Sequence, residues 1–312
     1  LPRLQALGYR PEADLDKGRT DAAALAADLG RTLEIRLAMF RELWNEDWDL
    51  FCAVITDTDR INHFLWPALW DPAHPLSKAA LAIYGQVDEF IGWVWAEIKP
   101  QVEAGDAACL LAADHSFGPI RSEVYLNPWL MEQGYLAIEG QAGDERIMPQ
   151  SRALALDPGR IYLHHAHRFP GGSIQKGPEA ESLRQEIASR LLALTFQQIA
   201  RNGDQIHTET LHPVERVYTQ EELYQGPHAW QGPDLVAQAA PGFSLRAGLD
   251  RGAVFGMSHL SGTHSSQGAL ALWLSKDFID DLPSDIESLY HLMSRWLDLA
   301  DPLDLLNNIN SS

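Results

Sequence analysis

The sequence predicts an α/β fold in which a mostly parallel central sheet is covered by helices. Three observations carry this. Amphipathic helical stretches alternate with short, continuously apolar runs of the kind found in strands buried on both faces. The chain has 312 residues, 46% of them apolar, enough to bury one large α/β core or a core with a substantial insertion. Two of the apolar runs end abruptly in Asp and His, and open α/β sheets bind ligands beyond the carboxyl ends of their strands.

Taken in order, Thr20 to Asn45 reads as one long helix, with Thr20 or Asp21 as its N-cap. "DLFCAVIT" reads as a buried strand, and Ser77 to Ile98 as a second helix, capped by Ser77 and stopped near Pro100. "AACLLAA", Ala107 to Ala113, is a second continuous apolar strand that ends in "DHSFGPI". From about Ser151 the text changes. "GRIYLHHAHRFPGG" reads as a strand and turn, and "PEAESLRQEIASRLLALTFQQIA" as a helix. "ERVYTQEELYQGP" reads as a strand with a short capped turn, and "PDLVAQAAPGFSL" as a further strand. After a Gly- and Ser-rich loop, "GALALWLSKDFI" reads as a strand and "SDIESLYHLMSRWLDL" as a final helix. The expected division is a core of 1–150 and 250–312 with an inserted α+β segment, 151–249.

Composition narrows the function. Lys and Arg number 24 against 43 Asp and Glu, a net charge of −19, which argues against a broad nucleic-acid-binding face. A phosphate substrate held locally by metal ions remains compatible, because bound cations dominate the field at such a site. No apolar run approaches the ~18 residues of a membrane span. The two cysteines, Cys52 and Cys109, fall in the expected buried strands, so a reducing, cytoplasmic setting is expected rather than a disulfide framework.

The residues with chemical promise cluster at strand ends. Asp59 and His63 lie four apart, on one face of any helical turn that follows the first strand. Asp114 and His115 close the second strand, and His264 sits in "SGTHSSQG" before the last. Carboxylate oxygen and imidazole nitrogen together suit zinc or a similar divalent ion. An Asp after a strand is commonly a turn or cap residue, so each pair alone is weak. The combination is harder to explain by caps. "HHAHR", His164 to Arg168, reads as a polar strand end rather than a second metal cluster. Arg168 and Arg60 are candidate phosphate contacts, since the guanidinium fork matches phosphate geometry; surface ion pairs are the plainer reading.

"TDRINHFLW", "ADHSFGPI" and "GTHSSQGAL" resemble the metal-binding segments of the alkaline phosphatase superfamily, closest to its type I phosphodiesterase/nucleotide pyrophosphatase branch. "YLNPWLMEQGYL", "GRIYLHHAHRFPGG" and "EELYQGPHAWQGPDLV" resemble further segments of that branch, so the likeness covers most of the chain. The resemblance implies an alkaline phosphatase-like α/β/α sandwich and a two-metal phosphoesterase. Asp59, His63 and His264 would hold one ion, and Asp114 and His115 a second. Zinc is the expected metal, with manganese the alternative. A small phosphate ester or pyrophosphate is the expected substrate.

The family's nucleophile and first metal-binding Asp lie upstream of these segments, on a first strand and the helix after it. Leu1 to Trp48 reads as loop and helix, so the expectation is a chain corresponding to the C-terminal two-thirds of such a protein. It would lack the N-terminal strands and the nucleophile, which a missing segment or partner chain would supply. Ser116 also stands where the family has Gly. Two alternatives follow: a non-catalytic metal- or ligand-binding relative, and a phosphoglycerate mutase-like or sulfatase-like member of the superfamily.

Overall fold

The structure is a computed structural model that describes residues 4, 6–140, 144–202, 205–249, 252–265, 268–276 and 285–299. The chain divides into two compact units, Leu1–Phe117 with His264–Ser312, and Gly118–Thr263.

The first unit is built on three helices: α1 (Ala22–Leu43), α2 (Asp57–Trp70) and α3 (Ser77–Ala104). Leu25, Leu29, Leu33 and Leu37 recur every fourth residue of α1 and are buried with Ile61 and Leu65 of α2 and Ile83 and Phe90 of α3. Asp21 is the N-cap of α1, its carboxylate accepting from Ala24 N–H at 2.9 Å. In α3, Ser77 is the first helical residue rather than the cap, and the helix runs past Pro100 to Ala104. Gly105 stops it, at φ 93°, a left-handed conformation that glycine adopts without penalty.

The strand expected at "DLFCAVIT" is not formed. Residues 51–56 join no ladder, and Cys52 and Val54 are exposed, Val54 at 64%. Phe51 and Ile55 alone turn inward, against the helices. The apolar run satisfies helix packing at two positions and finds no strand partner among the described residues. The second expected strand exists as β1 (Cys109–Ala112), but it pairs antiparallel with the strand Ala271–Leu274, Cys109 opposite Leu274. Cys109 is half-buried, and burial raises its thiol pKa. Beyond residue 276 the expected continuation of the last strand lies outside the described residues. The final helix is present as Ile286–Trp296, with the Asp285 carboxylate accepting from Ser288 N–H at 2.8 Å.

β2 (Ser116–Pro119) leads out of the first unit into β3 (Ser122–Tyr125) and α4 (Leu126–Glu132). β4 (Ala153–Asp157) and β5 (Arg160–Leu163) follow, then α5 (Pro178–Leu192). The helix expected to reach residue 200 stops at Leu192. β6 (Phe196–Asn202) instead forms a ribbon with β7 (Gln205–Leu211), where Phe and Ile suit a pleated strand. β8 (Val214–Thr219) ends in a capping box between Thr219 and Glu222. The single strand expected over "PDLVAQAAPGFSL" is two, β9 (Leu235–Ala239) and β10 (Phe243–Arg246), divided by Gly242 at φ 87°.

β8, β9, β5 and β4 form an antiparallel four-stranded sheet, while β10 and Phe255–Gly256 flank β3, with β10 parallel to it. Val124, Leu130, Ile161, Leu163 and Leu183 are buried together in this unit. The described sheets are therefore small and mixed, not the mostly parallel central sheet expected. The boundaries also differ from those expected at 150 and 250. Ser122–Tyr125 is hydrogen-bonded into the three-stranded sheet, which carries residues 118–150 into the second unit. Among the described residues no helix is long and apolar enough to cross a membrane.

Candidate metal centre

The first turn of α2 presents Asp57 and Asp59, where carboxylates complement the partial positive charge of a helix N-terminus. Asp57 is 2% exposed and does not reach outward. It accepts from Arg36 Nη1 of α1 at 2.6 Å. The same nitrogen donates to Thr56 Oγ1 at 2.7 Å, and Nη2 donates to the Pro11 carbonyl at 2.5 Å. Burial pushes the Asp57 carboxyl pKa up, against the Arg36 charge.

With Asp57 anchored, Asp59 and His63 project from the same face one turn apart, His63 Nε2 lying 3.6 Å from Asp59 Oδ1. Past His63 the helix kinks. Pro67 has no N–H to bond the His63 carbonyl four residues back, and Leu65 leaves helical geometry at φ −130°, ψ 31°.

Two further segments complete the cluster, both within the first unit. His264 Nε2 is 3.1 Å from Asp59 Oδ1 and 2.9 Å from His63 Nε2. His115 Nε2 is 3.8 Å from Asp59 Oδ1. The His115 ring stacks on that of His264, centroids 3.7 Å and planes 20° apart. Phe117 meets the rings of His63, His115 and His264 edge-on, at 4.9, 5.3 and 5.0 Å. Arg60 Nη1 donates to Asp59 Oδ2 at 3.0 Å, leaving Oδ1 to the histidines, and Nη2 donates to Glu12 at 3.0 Å. Burial acts to raise the Asp59 carboxyl pKa. The His264 hydrogen bond and the charges of His63 and Arg60 outweigh it and hold the carboxyl below its usual range.

Of the residues singled out in the sequence, the structure thus brings together Asp59, His63, His115 and His264. Donor atoms of Asp59, His115 and His264 all lie within 4.8 Å of one another. Asp114 stands at the margin, its side chain 69% exposed and its Oδ1 3.6 Å from His115 Nε2. Arg168 lies in the second unit. Its guanidinium stacks over Tyr162 at 4.7 Å and donates to the carbonyls of Gln231 and, at 2.8 Å, Gly232, so backbone acceptors occupy it. His165 is likewise structural, 2.9 Å from buried Asp234, whose other oxygen accepts from Leu163 N–H. Sequence reasoning missed Arg36 and Phe117. A charged residue beside the leucine stripe of α1 was the one signal for the first; Phe117 gave none beyond its nearness to His115.

A carboxylate and imidazoles meeting at these separations fit a divalent ion: tetrahedral bonds of about 2.0–2.2 Å place ligand atoms roughly 3.3–3.6 Å apart. An α/β chain with such a cluster is a candidate metalloprotein. The profile of the type I phosphodiesterase/nucleotide pyrophosphatase family matches residues 6–267, and the chain belongs to that family. No curated protein matches. Among solved structures, phosphonoacetate hydrolase from Sinorhizobium meliloti 1021, in complex with phosphonoformate and with phosphonoacetate, is similar at 15% identity and a TM-score of 0.47. The match covers 91% of this chain and 56% of that one, so the chain spans little more than half the length of the enzyme it resembles.

Proposed function

We propose that the chain is the metal-binding part of a two-ion hydrolase of phosphate esters or pyrophosphates, with Asp59, His63 and His264 serving one ion and Asp114 and His115 a second. The observation that carries the reading is the hydrogen bond from His264 to Asp59, 3.1 Å across 205 residues of sequence, inside a cluster that also holds His63 and His115. Family membership gives that cluster its reaction class. Divalent ions there would polarise the phosphoryl oxygens and favour an ionised nucleophile. Asp59 stays aimed because Arg60 binds its outer oxygen. Phe117 excludes water from one side of the imidazoles. The attacking hydroxyl and a further carboxylate would come from outside these residues.

Metal analysis by native mass spectrometry, with hydrolysis of p-nitrophenyl phosphate mono- and diesters measured alongside, tests this reading. Bound zinc or manganese with negligible turnover by this chain alone is expected. Turnover that disappears in Asp59→Ala would show that the nucleophile is present after all. Absence of bound metal under replete conditions would remove the reading altogether.

A further inference from the structure

We infer that His165 and His167, in the second unit, form a metal site of their own for a borderline transition ion of the zinc or copper class. The site is separate from the Asp59 cluster and does not rest on the phosphoesterase reading.

It starts from a buried pair. Leu235 of β9 lies opposite Ile161 of β5, which sets Asp234, just before β9, beside the residues that follow β5. Asp234 is 7% exposed. One of its oxygens accepts from Leu163 N–H at 2.9 Å, and the other lies 2.9 Å from His165 Nε2. That bond makes His165 structural at one nitrogen only. His165 is 8% exposed, and its Nδ1 is buried with no hydrogen-bond partner among the described residues. Buried polar atoms are ordinarily satisfied, so this one points to a ligand. With the Nε2 proton given to Asp234, the neutral ring offers a lone pair at Nδ1. A carboxylate on the far nitrogen is the usual support of a metal-binding histidine.

The second imidazole is in place. The His165 and His167 ring centres are 4.9 Å apart, with planes at 46°. Two imidazoles on one tetrahedral ion, bound at about 2.0–2.1 Å, have ring centres roughly 5 Å apart. The turn that carries them is fixed. The His165 carbonyl accepts from Arg168 N–H at 3.1 Å and Phe169 N–H at 2.9 Å, and Ala166 N–H donates to the Ile174 carbonyl at 3.0 Å. Burial, then the charge of Lys176, lowers the His167 pKa, which favours the neutral ring that a metal needs. The charges of Lys176 and Arg168 oppose any cation, so affinity has to come from the imidazole bonds. That selects copper, nickel or zinc over magnesium or calcium. Two protein ligands leave the remaining positions to water, which makes the ion exchangeable.

Histidine-ring NMR of the full chain titrated with zinc, with magnesium as the control, tests the site. The His165 and His167 signals should move together with zinc and stay in place with magnesium. They should respond equally in Asp59→Ala, which removes a proposed ligand of the other cluster. His167→Ala changes an exposed side chain. It should raise the zinc concentration needed to move the His165 signal by at least ~10-fold, the lower end of what even outer partners of metal ligands contribute. A His165 signal unmoved by excess zinc, moved equally by magnesium, lost in Asp59→Ala or unchanged in His167→Ala would overturn the inference. Each of these outcomes leaves the reading of the Asp59 cluster to its own test.

Discussion

Arg36 of α1 donates to Asp57 of α2 at 2.6 Å, and both side chains are at most 4% exposed. The pair fixes the first turn of the helix that presents Asp59 and His63. Removing one partner strands a buried charge, so Arg36→Met should destabilise the protein by about 3–5 kcal/mol. Arg36→Met with Asp57→Leu should recover much of that loss. Urea unfolding of the parent and the two variants checks both expectations, and equal losses in the single and double variants would contradict them.

Arg60 is predicted to support the proposed metal site through Asp59. It holds Oδ2 at 3.0 Å, away from the histidines. Arg60→Gln should lower zinc affinity by roughly 10–100-fold, as loss of a hydrogen bond to a ligating group does. Competition against a chromophoric chelator measures this. Unaltered affinity would show that Asp59 needs no such support.

Asp28 should make the first unit acid-sensitive. It is 1% exposed. Burial would raise its pKa, but the Asp14 N–H at 2.8 Å, Arg10 at 3.0 Å and Lys17 at 3.1 Å overcome this and hold the carboxyl far below its usual range. As pH falls through the ordinary carboxylate range, the unfolded chain takes up this proton first. The stabilisation is therefore complete above that range and is lost on acidification toward the lower native value. Asp28→Asn should be less stable than the parent at neutral pH, with the gap narrowing in acid. Thermal melts across pH follow the gap directly.

In the second unit the buried carboxylate of Glu123 is a hydrogen-bond hub. It is 2% exposed and accepts from Tyr125 Oη at 2.6 Å, Arg246 Nε at 3.0 Å and Ser258 Oγ at 2.8 Å. Glu123→Ala leaves Arg246 without its carboxylate, and a loss of about 3 kcal/mol is expected. Hydrogen exchange should show the loosening at Ser122–Tyr125 and Phe243–Arg246 while the helices of the first unit keep their protection.

What could be read from the sequence follows the range of the forces involved. The apolar spacing of α1 is local and reappears in the structure almost residue for residue, and of the two caps expected for that helix, Thr20 or Asp21, the structure has Asp21. The run at 51–56 did not reappear as expected, because continuous apolarity states that a segment wants burial and not what will bury it. α5 was overextended since apolar spacing continues through "LTFQQI", where pairing with β7 decides the outcome. In the same way Asp59, His63, His115 and His264 stood out by residue type, whereas the ring stack of His115 on His264 depends on how distant segments return. Arg36 is buried only through its pairing with Asp57 on a second helix, which its own helix does not announce.

Asp59 and His264 lie 205 residues apart in sequence, and that separation orders events during synthesis. Chains are made from the amino end at about 5–20 residues per second. A nascent chain halted short of residue 264 already carries Asp59, His63 and His115 but has no third imidazole to bring them. The contact closes only after all of Gly118–Thr263 has been made. An ion that needed both residues could be captured only once residue 264 has been made.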